Sequence, residues 1–150
     1  MRVIIQRVGE ASVSIDGEVH AKIGQGLMIL VGFENSDTEK SIDKLCVKIV
    51  NMRIFSDPDG KMNLSILDIG GEILAVSHFT LHASTRKGNR PSFIRAAVPA
   101  ISEPLYQIFV RRLGELLGKP VATGIFGADM KVTLINDGPV TIAMDTENLE

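Results

Sequence analysis

Leu27-Met28-Ile29-Leu30-Val31-Gly32-Phe33 is a run of seven residues without one polar side chain. A strand with one wet face would alternate, so a continuous run predicts a strand covered on both faces. It falls well short of the ~20 residues of a membrane span. Upstream, Arg2–Val8, Ala11–Ile15 and Glu18–Ile23 show partial period-2 alternation and read as a β-meander. Asp16-Gly17 suits the tight turn between the last two. Downstream, Ser36 with Glu39 three residues on predicts a capping box. Ile42, Leu45, Cys46, Ile49 and Val50 then fall on one helical face.

Asp57-Pro58-Asp59-Gly60 is a turn, and Glu72–Leu81 is the next strong strand candidate. Residues from Gly88 to Pro99 read as loop. A second helix is predicted over Glu103–Leu117, with Leu105, Ile108, Phe109, Leu113, Leu116 and Leu117 as its apolar stripe and Gly118 as its stop. Met130–Ile135 and Val140–Met144 read as short strands flanking the turn Asn136-Asp137-Gly138-Pro139. Two helices and about seven strands predict an α/β fold of mixed β-sheets with both helices packed on one face. The 150 residues fit a single domain.

The charge is unevenly spread. From Ile73 to Ser102 there is no acid, only Arg86, Lys87, Arg90 and Arg95. That segment carries +4 and the remainder −6, against a net charge of −2. A protein that coats nucleic acid through global basicity is excluded, but a local anion site is not. The N-terminus lacks a signal-peptide layout. The one cysteine excludes an intrachain disulfide framework or a multi-Cys zinc site. The cytoplasm is the simplest compartment.

The common catalytic signatures are missing: no G-x-S-x-G, H-E-x-x-H, P-loop or G-x-G-x-x-G. Cys46, on the apolar helix face, reads as a small buried hydrophobe rather than a nucleophile. His78 and His82 would share one face of a strand, but no third metal ligand has a motif-like spacing, so no metal is assigned. His20 reads as an ordinary surface or packed histidine. Ser77-His78-Phe79-Thr80-Leu81 closes an apolar strand, where α/β folds place ligand groups. It offers two hydroxyls and an aromatic face, although Thr and Phe also simply favour strands. In Asp137-Gly138-Pro139-Val140-Thr141 the ordinary reading is a turn. A cis Gly-Pro bond there would point successive carbonyls the same way, as a rigid acceptor pair. Arg86-Lys87-Gly88-Asn89-Arg90-Pro91-Ser92-Phe93 combines cations with an aromatic, which suits phosphate contact with base stacking. A solvated basic surface is the plainer alternative.

These segments, with Gln6-Arg7-Val8, Met52-Arg53-Ile54-Phe55, Lys61-Met62-Asn63-Leu64 and Phe126-Gly127-Ala128-Asp129-Met130, stand in an order and spacing that resembles the D-aminoacyl-tRNA deacylase family over essentially the whole length. The resemblance implies a three-layer α/β/β fold and a homodimer. It implies hydrolysis of the ester joining a D-amino acid, or glycine, to the terminal adenosine of tRNA, with no cofactor and no membrane. Gly138 and Pro139 would form a cis pair that reaches into the partner's site and holds the substrate's amino group, with Val140 beside them. Arg7 would support that loop. Ser77 and Thr80 would be the catalytic-segment hydroxyls, His78 and Phe79 would line the same pocket, and Met130 with Phe79 would flank the adenine or amino acid. The family usually has Gln where this chain has His78, so the contact made there is left open. Thr80 is the natural candidate nucleophile, yet no base accompanies it by spacing. The resemblance instead implies assistance from the 2′-hydroxyl of the terminal ribose. Two alternatives stand beside this: a relaxed deacylase for small L-amino acids on the wrong tRNA, and a non-catalytic RNA- or protein-binding module on the same fold.

Overall fold

A computed structural model describes residues 1–149. The strand order is easiest to follow from its centre. β3 (Gly26–Gly32) runs parallel to β6 (Glu72–Ser77) and antiparallel to β1 (Arg2–Ile15). β2 (Glu18–Ile23) pairs with β1, and β7 (Ala122–Thr123) lies parallel beside β6. β8 (Lys131–Asp145) pairs antiparallel with β1 along nearly its whole length. β4 (Phe55–Ser56) and β5 (Met62–Leu64) form a separate two-stranded sheet. The helices are α1 (Glu39–Asn51), the short α2 (Ile66–Ile69) and α3 (Pro99–Leu117).

Two apolar cores explain the unbroken run in β3. Leu27, Ile29 and Val31 point to one face, with Val3, Ile5, Ile73 and Ala75, and meet Ile42, Leu45 and Ile49 of α1 and Phe109 and Leu113 of α3. Met28 points to the other, with Leu74, Val76, Val8, Ala11, Val13 and Ile23. The second core exists because β1 bends. Its pairing with β8 shifts register between Gln6 and Val8 and again between Val8 and Glu10. Past the bend β1 carries β2 back across the sheet, against β6 and β7. Helices, first sheet half and second sheet half make the three layers of an α/β/β fold. Each large side chain buried in these cores contributes about 1.5–3 kcal/mol.

Several elements differ from the local reading. α1 is capped by Thr38 and Ser41, not Ser36 and Glu39: Ser41 N–H donates to Thr38 Oγ1 and Thr38 N–H donates to Ser41 Oγ. Ser36 is held in a turn whose ends are tied by Asp37, which accepts from the Glu34 amide at 2.7 Å and pairs with the N-terminal ammonium. α3 starts at Pro99, whose fixed φ suits a first helical turn, and Pro104 falls inside it. Arg2–Ile15 is one bent strand rather than two. The segment predicted as a strand to Leu81 ends at Ser77. His78 N–H donates the last rung, to Val31 O at 2.8 Å, after which β3 has ended and Phe79–His82 winds into a 3-10 turn. His78 and His82 therefore do not share a strand face; His82 is fully buried. Asn136–Pro139 is no hairpin turn. β1 runs alongside both flanks, Val8 opposite Asn136 and Gln6 opposite Thr141, so residues 137–140 bulge from one continuous β8.

Candidate active site

A cleft of about 660 Å³ opens where the parallel strands β3 and β6 end. Carboxyl ends of parallel strands are where α/β sheets expose backbone and side-chain groups to ligands. Ser77, His78, Phe79 and Thr80 line the cleft, together with Gly32, Phe126 and Met130. Ser77–Thr80 and Met130, expected from the sequence to share a pocket, lie around this one cleft, with Ser77 ending β6 and Phe79 and Thr80 on the turn that follows. A 3-10 turn leaves its first N–H groups without an intrahelical acceptor. Here those amides belong to Phe79 and Thr80. Phe79 is 59% exposed and meets Phe93 edge-to-face, with ring centroids 5.3 Å apart, at the mouth of the cleft.

The turn is held from below. Gly32 packs so closely that a Cβ there would lie 2.8 Å from His78 O and 3.0 Å from the His82 ring. Glu34 is buried and pairs with Arg95 at 2.7 Å, and the His82 Nδ1 lies 3.4 Å from the same carboxylate oxygen. This cluster was not legible in the sequence, since nothing local couples residues 34, 82 and 95. Tyr106 of α3 donates to Ala75 O of β6 at 2.8 Å, and burial pushes its phenol up to about 12.

The titratable groups offer little acid–base chemistry. Burial lowers His78 below its ordinary 6.5, so the ring is neutral near pH 7, with one donor and one acceptor nitrogen. Burial pushes the Cys46 thiol up to about 12, and it sits against Phe109 O, which makes it inert. The carboxylate at the cleft edge, Asp129, is paired with Lys131 at 3.0 Å. Among the described residues no three His, Cys, Asp or Glu side chains cluster as metal ligands. No described helix is long and apolar enough to cross a membrane. What the cleft does supply is the hydroxyls of Ser77 and Thr80, a turn-initiating pair of amides and apolar walls.

Arg7, Gly138, Pro139 and Val140 lie elsewhere. The Arg7 side chain is buried; its Nε donates to Asp137 O at 3.0 Å and its Nη1 to Ile54 O at 2.7 Å. Asn136 closes the base of the bulge, accepting from Val140 N–H and donating to Thr141 Oγ1, each at 3.0 Å. The Gly138–Pro139 peptide is cis and both residues are exposed. Asn136, read from the sequence only as part of a turn, closes the bulge through these two bonds. None of Arg7, Gly138, Pro139 and Val140 lines the cleft: where β8 carries Gly138 and Pro139 it pairs with β1, which pairs in turn with β3 rather than with β6. One chain therefore does not bring its own Gly138-Pro139 to its own Ser77–Thr80.

Comparison with known proteins adds a consistent set of likenesses. A family model described as D-Tyr-tRNA(Tyr) deacylase matches residues 4–145. The D-aminoacyl-tRNA deacylase of Bacteroides thetaiotaomicron is 62% identical over 100% of both chains, and that of Flavobacterium psychrophilum 61% over 100% of both. A solved structure of the c-Myc DNA Unwinding Element Binding Protein superposes with a TM-score of 0.92 at 39% identity, covering 97% of this chain and 98% of that one. A probable eukaryotic D-amino acid tRNA deacylase shares the fold, with a TM-score of 0.82 at 17% identity over 95% and 97% of the two chains.

Proposed function

The chain belongs to the D-Tyr-tRNA(Tyr) deacylase family, and on that premise we propose that it hydrolyses the ester of D-aminoacyl-tRNA, and of glycine mischarged on tRNA, as a chirality check in the cytoplasm. Residues 1–150 act as one domain. The aminoacyl-adenosine end enters the cleft, with Phe79 and Met130 flanking it. Water adds to the ester carbonyl, the C–O bond to the ribose breaks, and the ribose oxygen takes a proton. The observation that carries this reading is the 3-10 turn at the end of β6: backbone donors and two hydroxyls in a mainly apolar cleft, with neither hydroxyl hydrogen-bonded to a base among the described residues. Amides of Phe79 and Thr80 suit the developing oxyanion. The ribose 2′-hydroxyl then assists the chemistry, and the protein contributes orientation.

The stereochemical check is assigned to a second copy of the chain. Gly138 and Pro139 are exposed, anchored by Arg7 and Asn136, and outside the lining of their own cleft. That arrangement supports a homodimer in which each Gly138-Pro139 bulge, with Val140 at its base, enters the partner's cleft and receives the amino group of the substrate. An L side chain would then be directed into protein.

The test is deacylation of matched D- and L-tyrosyl-tRNA, with glycyl-tRNA alongside, by purified protein of known oligomeric state. Release of the D-amino acid and glycine, with the L ester spared, is the expected result. Equal turnover of the L form would sink the chirality check in favour of a relaxed deacylase. Binding of tRNA with no release of any amino acid would leave a binding module.

A further inference from the structure

The acid-free segment contains four cations, and the structure divides them. Arg95 is held by the buried Glu34 carboxylate at 2.7 Å. Arg86, Lys87 and Arg90 are exposed, and among the described residues none of the three has an ion-pair partner. They sit on a closed hairpin loop rather than a slack one. Ser84 and Ser92 exchange both backbone hydrogen bonds, at 2.8 and 2.9 Å, and Gly88 turns the tip with φ +63°. The loop leaves the site turn at Ala83 and returns at Phe93, which packs on Phe79 at the mouth of the cleft. Three cations with no ion-pair partner among the described residues are thus carried on a closed loop that leads from one exposed aromatic ring to another. This is the layout of a polynucleotide track, in which cations follow the phosphates and the aromatics receive the terminal base.

We propose that the Ser84–Ser92 loop is the protein's grip on the tRNA acceptor arm, with Arg86, Lys87 and Arg90 contacting backbone phosphates while the aminoacyl end lies in the cleft. This rests on the deacylase reading and adds to it where the polynucleotide leaves the site. The contacts carry no sequence information, so the loop serves any tRNA whose aminoacyl end fits the cleft. Arg95 makes no phosphate contact; it braces the loop's return against Glu34.

The test compares wild type with the triple variant Arg86→Ala/Lys87→Ala/Arg90→Ala. The substituted side chains are exposed, and circular dichroism and thermal melting verify the fold. Binding of uncharged tRNA is titrated from 50 to 200 mM salt. Losing three phosphate contacts flattens the slope of log K against log salt by about 2–3. Across that range wild type then loses about 20–40-fold more affinity than the variant does. Hydrolysis is followed on D-tyrosyl-tRNA and on D-tyrosyl-adenosine, which has no phosphate. The variant's loss of kcat/KM should be carried by KM and be much greater on the tRNA. An unchanged salt slope, or an equal loss on both esters, would overturn the proposal. So would wild-type binding that prefers single-stranded DNA to tRNA through the same three residues. If wild type hydrolyses neither ester, the deacylase reading fails, and the salt slope still decides the loop's role.

Discussion

Gly138→Ala is the sharpest perturbation of the proposed stereochemical check. Gly138 has φ +130°, where an L side chain is strained by about 1–3 kcal/mol. The added methyl would lie 2.8 Å from Arg7 Nη2 and 2.9 Å from Val140 Cγ2. Overpacking of that kind costs about 1–3 kcal/mol where neighbours cannot give. The total, about 2–6 kcal/mol, equals or exceeds one hydrogen bond from the Arg7 guanidinium to a carbonyl, about 1.5–3 kcal/mol. The cheapest response is therefore to break the Arg7–Asp137 bond and let the bulge swing, since its tip is solvated and the rest of β8 is not involved. Fold and dimer should persist, with the Asp137 and Gly138 carbonyls displaced. A displacement near 1 Å costs about 10²-fold in rate at a positioned site. Steady-state kcat/KM on D- and L-tyrosyl-tRNA is the assay, with thermal melting and sedimentation as controls. The D rate should fall about 10²-fold and the D-over-L ratio at least about tenfold. A folded, dimeric variant with wild-type rate and discrimination would refute the assignment of the check to this loop.

Thr80→Ala should lose less than about 10²-fold in kcat, whereas loss of a true nucleophile costs roughly 10⁴-fold or more; single-turnover rates with tRNA binding intact decide between them. His78→Gln should flatten an acid-side loss of stability. Because burial lowers the folded pKa of His78 below 6.5, the unfolded chain binds more protons as pH drops beneath that value, and stability falls from there until the folded ring also titrates. Melting temperatures of both proteins from pH 7.5 to 5 measure this; identical curves would contradict it. Tyr106→Phe removes the buried donor to Ala75 O and should cost about 1–3 kcal/mol, a fall of about 2–12 °C in Tm with little change in KM.

Where neighbours in sequence are also neighbours in space, the sequence was a good guide. The helical face of Ile42, Leu45, Cys46, Ile49 and Val50 is buried in full. The apolar run at 27–33 is covered on both sides, by two different cores. The inertness of Cys46 followed from the same periodicity. Local signals failed where a distant strand had the deciding role. Thr80 and His82 carry strand-like neighbours, but β3 ends beside His78, and without a partner the chain coils. Gly138-Pro139 looks like a hairpin turn by itself. The whole of β1 runs alongside, and pairing on both flanks makes it a bulge in one strand.

The residue types of the site, the acid-free stretch and the motif order were fixed by the chain alone, because they need no geometry. That Arg95 is neutralised while Arg86, Lys87 and Arg90 have no ion-pair partner among the described residues needed the fold, because Glu34 reaches Arg95 only across the end of β3. The separation of the Gly138-Pro139 bulge from its own cleft is also a tertiary fact. Sheet order is set by pairing between residues far apart in the chain, and a sequence read locally holds no record of how many strands lie between two motifs.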